Sequence, residues 1–170
     1  REDLVVCAKL AHALLHAVAQ VGDLVSGLHR KSDDDGRLRG LGIAVPTTYD
    51  DVLAAAEKIR AAGVVEYALG GTFKTGWNLG EEFINMYLGF GGEFFADDNT
   101  PTINSATGIS ALEMMKRLTE YMDPEYLVSD STYVQQQFQQ GKIAMANLWA
   151  SRAGAMDDPT ESQVVGDRKS

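Results

Sequence analysis

Glycine divides this sequence into short segments whose apolar spacing switches between helix and strand. Gly22, Gly63, Gly70–Gly71, Gly91–Gly92 and Gly141 each close such a segment. Glycine suits that place because a helix often ends on a left-handed residue, which costs glycine nothing. Residues 46–62 predict a helix with Thr48 as N-cap and Asp51 three residues on, a capping box with aspartate for the usual glutamate. Its apolar stripe is Val52, Leu53, Ala56 and Ile59, and Gly63 is the cap at its end. A strand is predicted over 64–69 and a helix over 76–90, with Trp77, Leu79, Phe83, Met86 and Tyr87 among its apolar positions. Residues 93–104 read as a small hairpin turning at 97–99. A helix over 107–122, capped by Ser105 or Thr107, carries Ile109, Leu112, Met115 and Leu118 as its stripe. Another, over 130–140, carries Tyr133, Val134 and Phe138, with the glutamine-rich stretch 135–140 expected on an exposed face. Residues 142–148 read as a strand ending at Trp149, and 157–170 as a polar, frayed end. Ahead of all these lie a helix at 3–19 with a wide apolar face, a weak strand at 23–29 and a loop at 32–40. The order of elements is α/β, without an internal repeat.

Composition narrows the function. The 170 residues make one domain's worth of chain, 45% apolar and long enough to bury a core without metals or disulfides. No apolar run is long enough to predict insertion in a membrane. Cys7, the only cysteine, lies on the apolar face of 3–19, so an intramolecular disulfide and a cysteine zinc site are excluded. Fifteen basic residues face twenty-four acidic ones, a formal charge of −9. The basic residues form only small clusters, such as Arg30–Lys31 and Arg168–Lys169, which argues against nucleic acid and anionic membrane surfaces. A neutral or weakly polar small molecule is the better expectation. His12 and His16 have the spacing of a helical metal pair but no third ligand, and read as a solvated stripe. Glu81–Glu82 and Asp50–Asp51 are adjacent pairs that diverge around a helix, so neither reads as an acid/base dyad. No nucleophile elbow, phosphate loop or dinucleotide fingerprint is present, so no enzyme and no cofactor are expected.

The run Gly42-Ile43-Ala44-Val45-Pro46-Thr47-Thr48-Tyr49-Asp50-Asp51, followed by an alanine-rich helix, resembles the extracellular solute-binding proteins of sugar ABC transporters. Further pieces match in order: Trp77 opening an aromatic helix, Gly91-Gly92-Glu93-Phe94-Phe95 before an acidic turn, and Thr102-Ile103-Asn104-Ser105 before an Ala-Leu-Glu helix. The last is Phe138-Gln139-Gln140-Gly141-Lys142-Ile143-Ala144-Met145, ending at Trp149. The resemblance implies a helix-rich single lobe of a periplasmic-binding-protein-like type II fold with an extra N-terminal helix. The units would be an apolar helix at 1–21, the lobe at 22–165 and a polar tail at 166–170. Family members are longer and close two lobes around the ligand, so the chain resembles the middle of one, mainly a single lobe. The family also implies an extracytoplasmic place, although no signal peptide is visible at Arg1-Glu2-Asp3.

Sugars are held by aromatic faces and by polar side chains on their hydroxyls. Trp77 and Trp149 suit stacking; Asp23 and Asn147, with Asn78, suit the hydroxyls; Gly91 and Gly92 could bring backbone amides to a ligand. Each also has a local reading: Trp77 as core, Asp23 and Asn147 as turn or edge residues, and the glycine pair as a helix stop. The expected function is a carbohydrate-binding lobe. The alternative is an interaction or assembly protein that dimerises through the 3–19 helix, around Leu10 and Leu14. A separate protein supplying the other lobe is a further expected partner.

Overall fold

The computed structural model describes residues 41–44 and 46–165. The expected elements at 3–19, 23–29 and 32–40, and with them Cys7, His12, His16 and Asp23, lie outside the described residues, as does the 166–170 tail.

Helix α1 spans Tyr49–Ala62 and begins with the expected capping box. The Asp51 amide donates to the Thr48 hydroxyl, and the Thr48 amide donates back to the Asp51 carboxylate. Gly63 ends α1 in the left-handed region, at φ 62°. Its buried side, Leu53, Ala55, Ala56 and Ile59, lies against strand β1 (Tyr67–Gly70). The strand starts later than expected because Val64 and Val65 serve the connection, packing onto Ala56, Ile59 and Ala68. Strand β2 (Ile143–Ala146) pairs with β1 in parallel, Leu69 opposite Met145 and Gly70 opposite Ala146. Parallel neighbours need a long crossover. Helices α2 (Trp77–Gly89), α3 (Ala106–Thr119) and α4 (Ser131–Gln139) supply it. After β2 a single 3₁₀ turn (Ala150–Arg152) leads into the short α5 (Ala153–Met156).

Four further expectations are corrected. The hairpin at 93–104 shrinks to one antiparallel bridge between Phe95 and Pro101, since proline lacks the N–H that a longer ladder needs. In α3, Ile109 and Leu112 point outward, 57% and 55% exposed, while Ala111, Met114, Met115 and Leu118 are buried. Gly108 and Ala111 put small groups on the inward side, and flexible methionines fill the space around them. In α4 the glutamines are not a uniformly exposed face. Gln137 and Gln139 are buried because each finds an acceptor: Gln137 donates to Asp123 Oδ2 (2.7 Å) and Gln139 to the Ala155 carbonyl (2.9 Å). The described part of the polar end, 157–165, is likewise held, with the Gln163 amide donating to the Gln139 carbonyl (2.8 Å).

The main core lies between β1, α2 and α3. Leu69, Phe73, Met86, Tyr87, Met115 and Met122 are among its members, with Leu53 of α1. This core fixes α2 against the sheet and so decides what stands at the strand ends.

Candidate functional site

The two strands finish side by side at Gly70 and Ala146. In open α/β sheets, ligands sit in the crevice beyond the carboxyl ends of the strands. From those ends leave Gly71–Thr72–Phe73–Lys74, which leads into α2, and Asn147–Leu148–Trp149. Between them stands Glu82 of α2, only 7% exposed. The amide and the hydroxyl of Thr72 both donate to its Oε1, at 2.9 and 2.8 Å. The Asn147 side-chain Nδ2 donates to its Oε2 at 2.9 Å. One carboxyl group thus ties the end of β1 to the end of β2. Burial pushes its pKa above the ordinary glutamate range, while the donors from Thr72 and Asn147 pull the other way by favouring the ionised form. Its charge also reaches Tyr49 on α1, whose phenol is pushed up to about 12 by burial first and Glu82 second.

Both connections are also anchored to the start of α4. The Lys74 amide donates to the Ser129 carbonyl (2.9 Å), and its ammonium pairs with Asp130 (3.0 Å), the residue that caps α4. Arg152 donates to Gln135 Oε1 (2.9 Å) and to Ser131 Oγ (3.0 Å), and its amide donates to the Trp149 carbonyl (2.8 Å). The backbone around Trp149 is therefore held from two sides, by Asn147 on Glu82 and by Arg152 on α4.

The expected site residues separate into groups. Trp149, 37% exposed, follows the end of β2, and Trp77, 73% exposed, is the first residue of α2. The core reading of Trp77 is therefore wrong, and both tryptophans are accessible to solvent. Asn147 is half-buried and joins the two strand ends, as described. Gly91 and Gly92 lie past the far end of α2, roughly 20 Å along the axis from Trp77 at about 1.5 Å per residue. Their amides are donated to the Leu88 and Tyr87 carbonyls, and Gly91 has φ 78°. A Cβ on Gly92 would stand 2.5 Å from the Tyr87 ring, so this pair has a local part in closing the helix. Asp23 lies outside the described residues. Thr72 and Glu82 were missed as partners of the site. The available signal was an acid on the inward stripe of α2, between Leu79 and Met86.

A concavity of about 300 Å³ lies elsewhere, along α1, lined by Ile43, Ala44, Thr47, Asp51, Ala54, Ala55 and Lys58. Its acid, Asp51, is committed to the helix cap, which also lowers its pKa through bonds from Thr47 and Thr48. The strand ends hold the better chemistry for recognition. Among the described residues there is no group of three or more side chains suited to a metal ion, and no helix long and apolar enough to cross a membrane.

This architecture is that of a periplasmic-binding-protein-like type II lobe, represented in part. The chain belongs to the bacterial extracellular solute-binding protein family, whose sequence pattern matches residues 23–169. It is 33% identical over 91 residues to a probable sugar-binding periplasmic protein of Mesorhizobium japonicum, a match covering 51% of this chain and 21% of that one. It is 25% identical over 122 residues to a probable amino-acid ABC transporter periplasmic-binding protein of Sinorhizobium fredii, covering 71% of this chain and 28% of that one. A solute-binding protein of Agrobacterium radiobacter, solved in complex with ribitol, superposes with a TM-score of 0.69 at 26% identity, over 78% of this chain and 33% of that one. The chain therefore spans a third or less of the length of these proteins. The family's members are binding proteins rather than enzymes.

Proposed function

We propose that this chain is the ligand-binding lobe of an ABC-transporter receptor for a sugar or sugar alcohol. The observation that carries the reading is Trp149, exposed and held firmly just beyond the carboxyl end of β2. An indole face packs against the C–H face of a sugar, and amide and carboxyl groups beside it take the hydroxyls. Trp149 and Trp77 are the stacking groups in this reading, and Asn147 and Asp23 the hydroxyl partners. The ribitol bound by the Agrobacterium protein and the description of the Mesorhizobium relative support a polyhydroxylated ligand. The Sinorhizobium relative makes amino acids the competing class.

A lobe on its own contacts one face of a ligand, so affinity in the millimolar range is expected. The test is a fluorescence titration of the 170-residue chain with ribitol, simple sugars and a panel of amino acids. A saturable response to a sugar or to ribitol that weakens at least about tenfold in Trp149→Ala, roughly 1.4 kcal/mol, is the expected result. A saturable response to an amino acid alone, or none from any sugar or polyol at tens of millimolar, would reject the reading.

A further inference from the structure

The Glu82 carboxyl group has no cationic partner among the described residues, and every group placed against it is a donor. When ionised, this carboxylate can only accept hydrogen bonds, so an amide that meets it presents its N–H end. Asn147 does so, with Nδ2 turned to Glu82 Oε2. This leaves its carbonyl oxygen, Oδ1, with no hydrogen-bond partner among the described residues, on a side chain that is only half-buried. The residue stands two positions before Trp149, at the strand ends.

The geometry points to Glu82 as the positioning residue of the site: it turns the Asn147 amide so that Oδ1 is offered outward as an acceptor for a ligand hydroxyl beside Trp149. Glu82 itself does not touch the ligand. It acts through Asn147, and through Thr72 it keys that orientation to the end of β1. The inference rests on the polyol reading only for the identity of the ligand; the amide orientation stands without it.

Glu82→Gln is nearly isosteric and reverses the polarity. Its single carbonyl oxygen stays with Thr72, its amide faces Asn147, and Asn147 must turn over to accept, offering N–H₂ outward instead. Asn147→Asp added to Glu82→Gln restores an outward oxygen, because a carboxylate accepts on both sides. The first readout needs no ligand. In the nitrogen-15 spectrum of the full chain at pH 8, one Asn147 side-chain amide proton should exchange at least about tenfold more slowly than in a free asparagine amide. That protection should vanish in Glu82→Gln. A fully exposed Asn147 amide in the wild-type chain, or protection unchanged in Glu82→Gln, would overturn the proposal.

The second readout is the ribitol titration. Glu82→Gln should weaken binding about tenfold or more, and the double variant should recover to within about threefold of wild type. Equal binding by wild type and Glu82→Gln would also overturn the proposal. A wild-type chain that binds no polyol yet shows the protected amide would reject the polyol reading alone and leave the positioning role standing.

Discussion

Glu82 is a buried acid with no counter-charge among the described residues, and its titration should be visible in the stability of the whole chain. Burial raises its pKa in the folded state. Below the ordinary glutamate range both folded and unfolded chains hold the proton, and the buried group costs little. Above that range the unfolded chain releases the proton first, so this residue's contribution to stability falls as pH rises, levelling off above the folded pKa. The aspartates held low by local hydrogen bonds, Asp51, Asp98, Asp130 and Asp158, have the opposite slope at more acidic pH. The informative quantity is therefore the difference between wild type and Glu82→Gln in urea unfolding. The wild type should lose stability relative to the variant from about pH 4.3 upward, and a pH-independent difference would contradict the assignment. At this scale the sequence revealed single residues better than their partners. Trp149 and Asn147 stood out because they follow a legible strand. Glu82 did not, because its meaning depends on an asparagine 65 positions away.

Elements were legible where their signals are local. The α1 capping box and the left-handed Gly63 and Gly141 need only a few neighbouring residues, and all are found as expected. The inward face of α3 was half legible: Met115 and Leu118 are buried as expected, but Ile109 and Leu112 continue that stripe in sequence as well as Ala111 and Met114 do and are exposed. What chose between them is the neighbour: α2 packs on Ala111, Met114 and Met115 with Met86 and Tyr87. The choice has a measurable consequence. Met115→Ala should destabilise the chain by about 2–5 kcal/mol, the usual cost of emptying a core site. Leu112→Ala should change stability by less than about 0.5 kcal/mol, as for an exposed side chain. Chemical denaturation of both variants checks this, and a large loss in Leu112→Ala would restore the sequence-based face. The minimal hairpin has the same lesson, since Phe94-Phe95 and Thr102-Ile103-Asn104 around an acidic turn suggested strands that Pro101 does not let extend.

For the whole molecule, the order of helices and strands was enough to place the chain in the α/β class, and the ordered motifs were enough to name the family. The parallel register of β1 and β2, which sets the two strand ends side by side, depends on an intervening crossover of three helices and could not be read from either strand. The central claim is that the carboxyl ends of these strands, with Trp149 beside them, form the ligand-binding face. Trp77 and Trp149 are the only tryptophans, so Trp77→Phe, which keeps an aromatic ring at the second stacking position, leaves Trp149 as the single indole reporter. Titrating that variant with sugars and sugar alcohols, while following Trp149 emission, is the most direct measurement. A saturable shift in Trp149 emission is the result this account expects. Saturable binding detected by calorimetry with no change in Trp149 emission would place the ligand elsewhere and contradict it.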